Sequence, residues 1–163
     1  MGYTHYWYTT RDFSNSEWSI LSKLAQEVIH NNYSTIPVAG GFGQGEPEVN
    51  NEHIWLNGTV KNGMDHETFR MTKIRQGRPA YDDPDKEFNF CKTARKPYDL
   101  YCVHILSIAK AIAPDAIELS SDGGDEVFRQ SLDHYCSKLA RESTFYRQNC
   151  QSILNKTEVP DAP

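Results

Sequence analysis

The chain has 163 residues, a formal net charge of -5, 38% hydrophobic and 12% aromatic residues, and 24% charged residues. That length and balance fit one domain with a real core and exclude a disordered or low-complexity chain. The acidic balance argues against non-specific duplex nucleic-acid binding, which rests on many phosphate contacts, but it leaves room for a local basic patch.

The first stretch, "YTHYWY" at 3–8, is aromatic and reads as a strand, with Tyr3, His5 and Trp7 on one face. Nothing in "MGYTHYWYTT" resembles the basic and apolar regions of a secretory signal. Ser14 and Glu17 have capping-box spacing, so a helix should follow, burying Trp18, Leu21, Leu24, Ala25 and Val28 and stopping near Asn31-Asn32. "YSTIPV" (33–38) reads as a short edge strand, and 39–52 as a glycine-rich loop. That loop matches no standard nucleotide-binding form, because Glu46 breaks both the G-x-G-x-x-G and the G-x-x-x-x-G-K pattern.

"HIWLNGTV" gives another strand with Asn57-Gly58 as a tight turn, and "HETFRMTKI" (66–74) alternates most clearly of all. Residues 75–87 read as a polar loop. Pro97 suits the first turn of a helix running from about Tyr98 to Ala113, apolar nearly all round and therefore central. His104, Ser107 and Lys110 interrupt that apolar run, which is too short and too mixed to span a membrane. "AIELSS" (116–121) is a strand, "DGGD" a turn, and a last amphipathic helix starts near Asp125. The expectation is an α+β fold: a mostly antiparallel sheet with about three helices packed on it, one domain over 1–150 and a flexible tail over 151–163. The cysteines, Cys91, Cys102, Cys136 and Cys150, show no C-x-x-C, and we read them as reduced thiols in a cytoplasmic protein.

Four groups of residues suggest chemistry. His66, Thr68 and Arg70 share one predicted strand face and suit a phosphate or pyrophosphate, with His66 as the candidate general acid or base. A two-histidine phosphoesterase is set aside, because no second H-x-[ST] triplet accompanies His66-Glu67-Thr68. Lys92, Thr93 and Arg95 precede a helix, and basic side chains before a helix N-terminus favour bound anions. Ser120, Ser121 and Asp122 fall at a strand end, where loops gather ligand contacts. The histidines His5, His53 and His66 raise the question of a metal, but with no H-x-H and no H-E-x-x-H we assign neither metal nor cofactor.

Taken together, "MGYTHYW", "HETF", "FCKTARKPYD" and "SSDG" resemble a family of small uncharacterised proteins of phages, plasmids and some bacteria. The resemblance covers roughly residues 1 to 125 and singles out His5, Trp7, His66, Lys92, Thr93, Arg95, Tyr98 and Asp99. It departs at "WLNGTV", where the family's strand has Phe-Asn-Gly, and after "SSDGG", where a Trp is expected. No activity comes with the family. It implies a setting, that of a phage-type accessory protein in a bacterial cytoplasm.

Three functions are therefore expected. The first is a binding protein for a nucleotide-derived, phosphate-bearing small molecule, held by His5, Trp7, His66, Thr68, Arg70, Lys92, Thr93, Arg95, Tyr98 and Asp122, with an aromatic stacking on the base. In a phage setting it would sequester a host immune signal, as a homo-oligomer. The second is a phosphoesterase or transferase acting on a nucleotide or nucleic-acid end through His66 with Lys92 and Arg95. The third is an interaction module that blocks a host enzyme.

Overall fold

The computed structural model describes residues 2–142. The tail expected over 151–163, the end of the domain at 150 and Cys150 lie outside the described residues. In chain order the elements are β1 (Thr4–Thr9), α1 (Asn15–Asn32), β2 (Glu48–Val49), β3 (His53–Leu56), a 3-10 turn (Val60–Asn62), β4 (Phe69–Thr72), β5 (Glu87–Lys92), α2 (Asp99–Ile112), β6 (Ile117–Ser121) and α3 (Glu126–Glu142). The fold is α+β and the strand pairings are antiparallel. They form two three-stranded sheets, β5-β1-β6 and β2-β3-β4, rather than one.

Each element follows from its residues. Around α1, the Ser14 hydroxyl accepts the Glu17 N–H (3.2 Å) and the Glu17 carboxylate accepts the Ser14 N–H (2.8 Å), so the expected capping box forms. Trp18, Leu21, Leu24, Ala25 and Val28 are its buried face. In α2, Tyr101, Cys102, Ile105, Leu106, Ile108 and Ala109 are fully enclosed, as an all-round apolar helix requires, and the helix packs against α1, α3 and β6. The alternation of β1 turns His5, Trp7 and Thr9 inward. Trp7 meets Phe69 of β4 at 5.3 Å between ring centroids, and so joins the two sheets in one core. Burying a side chain the size of Phe69 stabilises by roughly 1.5–3 kcal/mol relative to exposure. Among the described residues, no helix is long and apolar enough to cross a membrane.

Three expectations are corrected. Residues 33–38 are a turn: the N–H groups of Thr35 and Ile36 donate to the Asn32 carbonyl, Pro37 has no N–H, and only Ala39 reaches a bridge, to Asn57. The strand at 66–74 shortens to Phe69–Thr72 because its start is captured elsewhere. The buried Asn57 side chain accepts the His66 N–H (3.0 Å) and donates to the His66 carbonyl (2.9 Å), while the Glu67 N–H donates to the Lys92 carbonyl (3.3 Å). Residues 66–68 thus cross from one sheet to the other. Gly58 permits this corner, since a β-carbon there would overlap the Met64 carbonyl. Finally, β2 and β5 were hidden inside stretches read as loop and as basic motif. β5 is the long partner of β1, in register from Thr4↔Lys92 to Thr9↔Glu87.

Candidate functional site

Three of the four quoted motifs meet at one end of the β5-β1-β6 sheet. His5, on β1, is fully buried. Its Nδ1 lies 2.9 Å from Ser121 Oγ at the end of β6, and its Nε2 lies 2.7 Å from Asp99 Oδ1 at the start of α2. Thr93, also fully buried, donates its hydroxyl to the same Asp99 oxygen. A carboxylate can only accept, so in the neutral imidazole Nε2 carries the proton and Nδ1 is the lone pair. Nδ1 must then accept the Ser121 hydroxyl proton, and Ser121 Oγ in turn accepts the Gly123 N–H at 3.1 Å. Every donor in this chain points one way, from Gly123 through Ser121 and His5 to Asp99. Edge contacts with Tyr3 (5.2 Å) and Phe128 (5.6 Å) wall the imidazole.

The loop after β5 is held under strain by the same cluster. Ala94 and Arg95 have φ of 51° and 58°, a left-handed conformation that costs non-glycine residues about 1–3 kcal/mol each. The N–H groups of Thr93 and Ala94 both donate to the Tyr3 carbonyl (3.0 and 3.1 Å), and this fixes the turn. The exposed Arg95 guanidinium is thereby laid over the Tyr3 ring, 3.9 Å from its centroid. Among the described residues neither Arg95 nor Lys92 has a carboxylate within ion-pair distance. Lys92 runs beside Gly2, and Lys96 donates to the Gly63 carbonyl (2.8 Å).

The remaining expected site residues divide. His66 is exposed, and its Nδ1 donates to the Lys92 carbonyl (2.8 Å), which leaves Nε2 as a lone pair beside the loop. The Asp122 carboxylate accepts the Thr4 N–H (3.0 Å) and the Tyr6 hydroxyl (3.1 Å), so it secures the start of β1. Trp7 and Tyr98 present no ring to a ligand. Both are core, with the Tyr98 hydroxyl donating to the Glu67 carbonyl at 2.6 Å. Burial pushes the Tyr98 phenol up, with Cys91 and Cys102 adding to the shift, and burial likewise raises the Cys102 thiol. Thr68 and Arg70 line a separate hollow of about 210 Å³ with Gly41, Phe42 and Trp55. They do not join the cationic loop as expected, because residues 66–68 turn away before β4 begins.

Nor does the N-terminus of α2 offer the anion site read from the sequence. Its first N–H groups are taken by turn carbonyls, Asp99 N–H to Lys96 (2.9 Å) and Tyr101 N–H to Tyr98 (3.0 Å), and the Asp99 carboxylate occupies the dipole end. His5, His53 and His66 have different partners (Asp99, Glu48 and the Lys92 carbonyl), and among the described residues no group of three or more ligating side chains could hold a metal ion. Cys91 is fully buried beneath the Glu67 carbonyl. Sequence reasoning missed the pairing of His5 with Ser121 and Asp99. The signal lay in three motifs that each hold one of these polar residues, but their contacts span 94 and 116 positions and no local spacing specifies them. No protein-family model, curated protein or solved structure matches the chain.

Proposed function

We propose that the protein binds a phosphate-bearing, nucleotide-derived small molecule at the Arg95 loop. The observation that carries this reading is a guanidinium with no carboxylate in ion-pair distance among the described residues, held in a strained loop over Tyr3. Strain of this kind persists where the surroundings over-determine it, as a buried cluster does here. Arg95 supplies the planar fork for phosphate oxygens, and Lys92, three positions earlier in the chain, adds positive field. Base stacking passes from Trp7 and Tyr98, which are enclosed, to the open face of the Arg95 guanidinium. Sequestration of a host signalling nucleotide in a bacterial cytoplasm is the role this chemistry suits.

Calorimetry with inorganic pyrophosphate and with nucleoside mono- and diphosphates tests the reading. Arg95→Ala should weaken binding tenfold or more, the loss of a charge-assisted contact of roughly 1.5–3 kcal/mol. Unchanged affinity would remove Arg95 from the site.

Self-association, the other partner expected, has support of its own. The outer face of the β5-β1-β6 sheet carries Tyr6, Tyr8, Phe88 and Phe90 in adjacent register, with Phe88 ring centroids 6.1, 5.3 and 5.7 Å from the other three. Phe90 is 52% exposed. A contiguous aromatic patch of this kind marks an interaction surface. A two-fold axis along β1 lays β5 over β6 of a second copy, with the Lys92 end of one against the Asp122 end of the other. Sedimentation should show a dimer that Phe90→Glu converts to monomer. A wild-type monomer at high concentration would reject self-pairing and leave the face to a host protein.

A further inference from the structure

We infer that Ser121, His5 and Asp99 form a nucleophilic centre that cleaves a carboxylic ester, an activity beyond the holding of an anion. Ser121 is the nucleophile, His5 the general base and Asp99 the positioning residue. Such a centre needs a nucleophile and base within hydrogen-bond reach and a third group to orient the base. All three conditions are met: Ser121 Oγ to His5 Nδ1 at 2.9 Å, His5 Nε2 to Asp99 Oδ1 at 2.7 Å, and Thr93 holding Asp99 from the other side.

Two further observations separate this set from an ordinary buried histidine. A buried imidazole needs an acceptor for its N–H and a donor for its lone pair. Here the lone pair is aimed at a hydroxyl, and that hydroxyl belongs to a partly exposed residue at a strand end. The turn beyond it is open as well, because a β-carbon at Gly124 would have no atom within 4 Å. Gly123, in contrast, cannot take a side chain, since a β-carbon there would overlap the Tyr3 hydroxyl. Tyr3 therefore touches both His5 and the Ser121 turn while carrying Arg95 on its face, one ring away from the nucleophile. The substrate class this arrangement suits is an ester with an anionic group, the anion on Arg95 and the carbonyl at Ser121.

The step balances without a co-reactant other than water. Ser121 Oγ forms a bond to the carbonyl carbon as its proton passes to His5 Nδ1. The carbon–oxygen bond to the leaving alcohol breaks, and that alcohol takes the proton from Nδ1. Water, deprotonated by the same nitrogen, then attacks the acyl carbon, and Ser121 Oγ departs with the proton. The Asp99 carboxylate stabilises the imidazolium formed in each half and keeps the ring in the tautomer that can accept.

The test uses the full chain and an uncharged alkyl fluorophosphonate. Ser121 Oγ should bond to phosphorus with loss of fluoride, giving one adduct that peptide mapping places on Ser121. Ser121→Ala should take up none, and Asp99→Asn should react at least about tenfold more slowly, because an amide selects the wrong imidazole tautomer. Should Asp99→Asn fail to fold, Thr93→Val removes one hydrogen bond from the carboxylate and should slow the adduct several-fold. Natively folded protein with no adduct at Ser121, or an adduct that heat-denatured protein forms equally fast, overturns the assignment. Because the probe carries no charge, adduct formation reads the nucleophilic centre alone and the pyrophosphate titration reads anion binding alone, so a failure of one is distinguished from a failure of the other.

Discussion

The two sheets carry similar side chains and use them differently. On β5-β1-β6, His5 is fully buried and both ring nitrogens are bonded to residues 94 and 116 positions away in the chain. On β2-β3-β4, His53 bonds Glu48 only five positions away (2.8 Å) and stacks on Trp55 at 3.9 Å, with Arg70 4.8 Å above the same indole. The Glu48 side chain is 54% exposed, against 23% for Asp99. One set is closed by long-range contacts inside the core. The other is closed by neighbours on a solvated face. A histidine, a carboxylate and a cation near one another therefore say little until the sequence distance and the burial of the contact are known.

The largest effect separates the sheets by stability. Asp99→Ala leaves the buried His5 N–H and the Thr93 hydroxyl without their acceptor, and should destabilise by about 2–4 kcal/mol. Glu48→Ala removes an exposed partner from His53 and should change stability by no more than about 1 kcal/mol. Urea unfolding of both variants measures the contrast. Equal losses would mean that the His5 cluster is no more than another surface pair.

The same contrast explains what could be read in advance. The three helices, the Ser14–Glu17 cap and the sharing of one β1 face by His5 and Trp7 depend on local spacing, and they stand where the sequence puts them to within a residue or two. β5 was obscured because its alternating Phe88, Phe90 and Lys92 follow directly on the polar run 82–86, and its partner β1 is some 80 positions distant by register. Placement of His66, Thr68 and Arg70 on one face failed for a similar reason. The side chain of Asn57 and the end of β5, both outside the stretch, redirect residues 66–68. Arg95 could be picked out by type as an exposed cation before a helix, but not its left-handed backbone, which depends on the Tyr3 carbonyl. The set of His5, Thr93, Asp99 and Ser121 was spread over three motifs, and nothing local specifies that His5 touches Asp99 or Ser121.

The smallest effect is the sharpest check on the division. Arg70 and Arg95 are both exposed arginines lying over an aromatic ring, 4.8 Å from Trp55 and 3.9 Å from Tyr3. Composition would treat them alike. Arg70 lies on an ordinary strand backbone above an apolar hollow with Phe42, and no strained turn presents it. Arg70→Ala should therefore change pyrophosphate affinity by less than twofold and stability by no more than about 0.5 kcal/mol, as exposed substitutions usually do. The measurement is the titration used for Arg95→Ala, run in parallel on the two variants. A tenfold loss at Arg70 with none at Arg95 would move the anion site to the β2-β3-β4 face and make the strained loop a structural feature only.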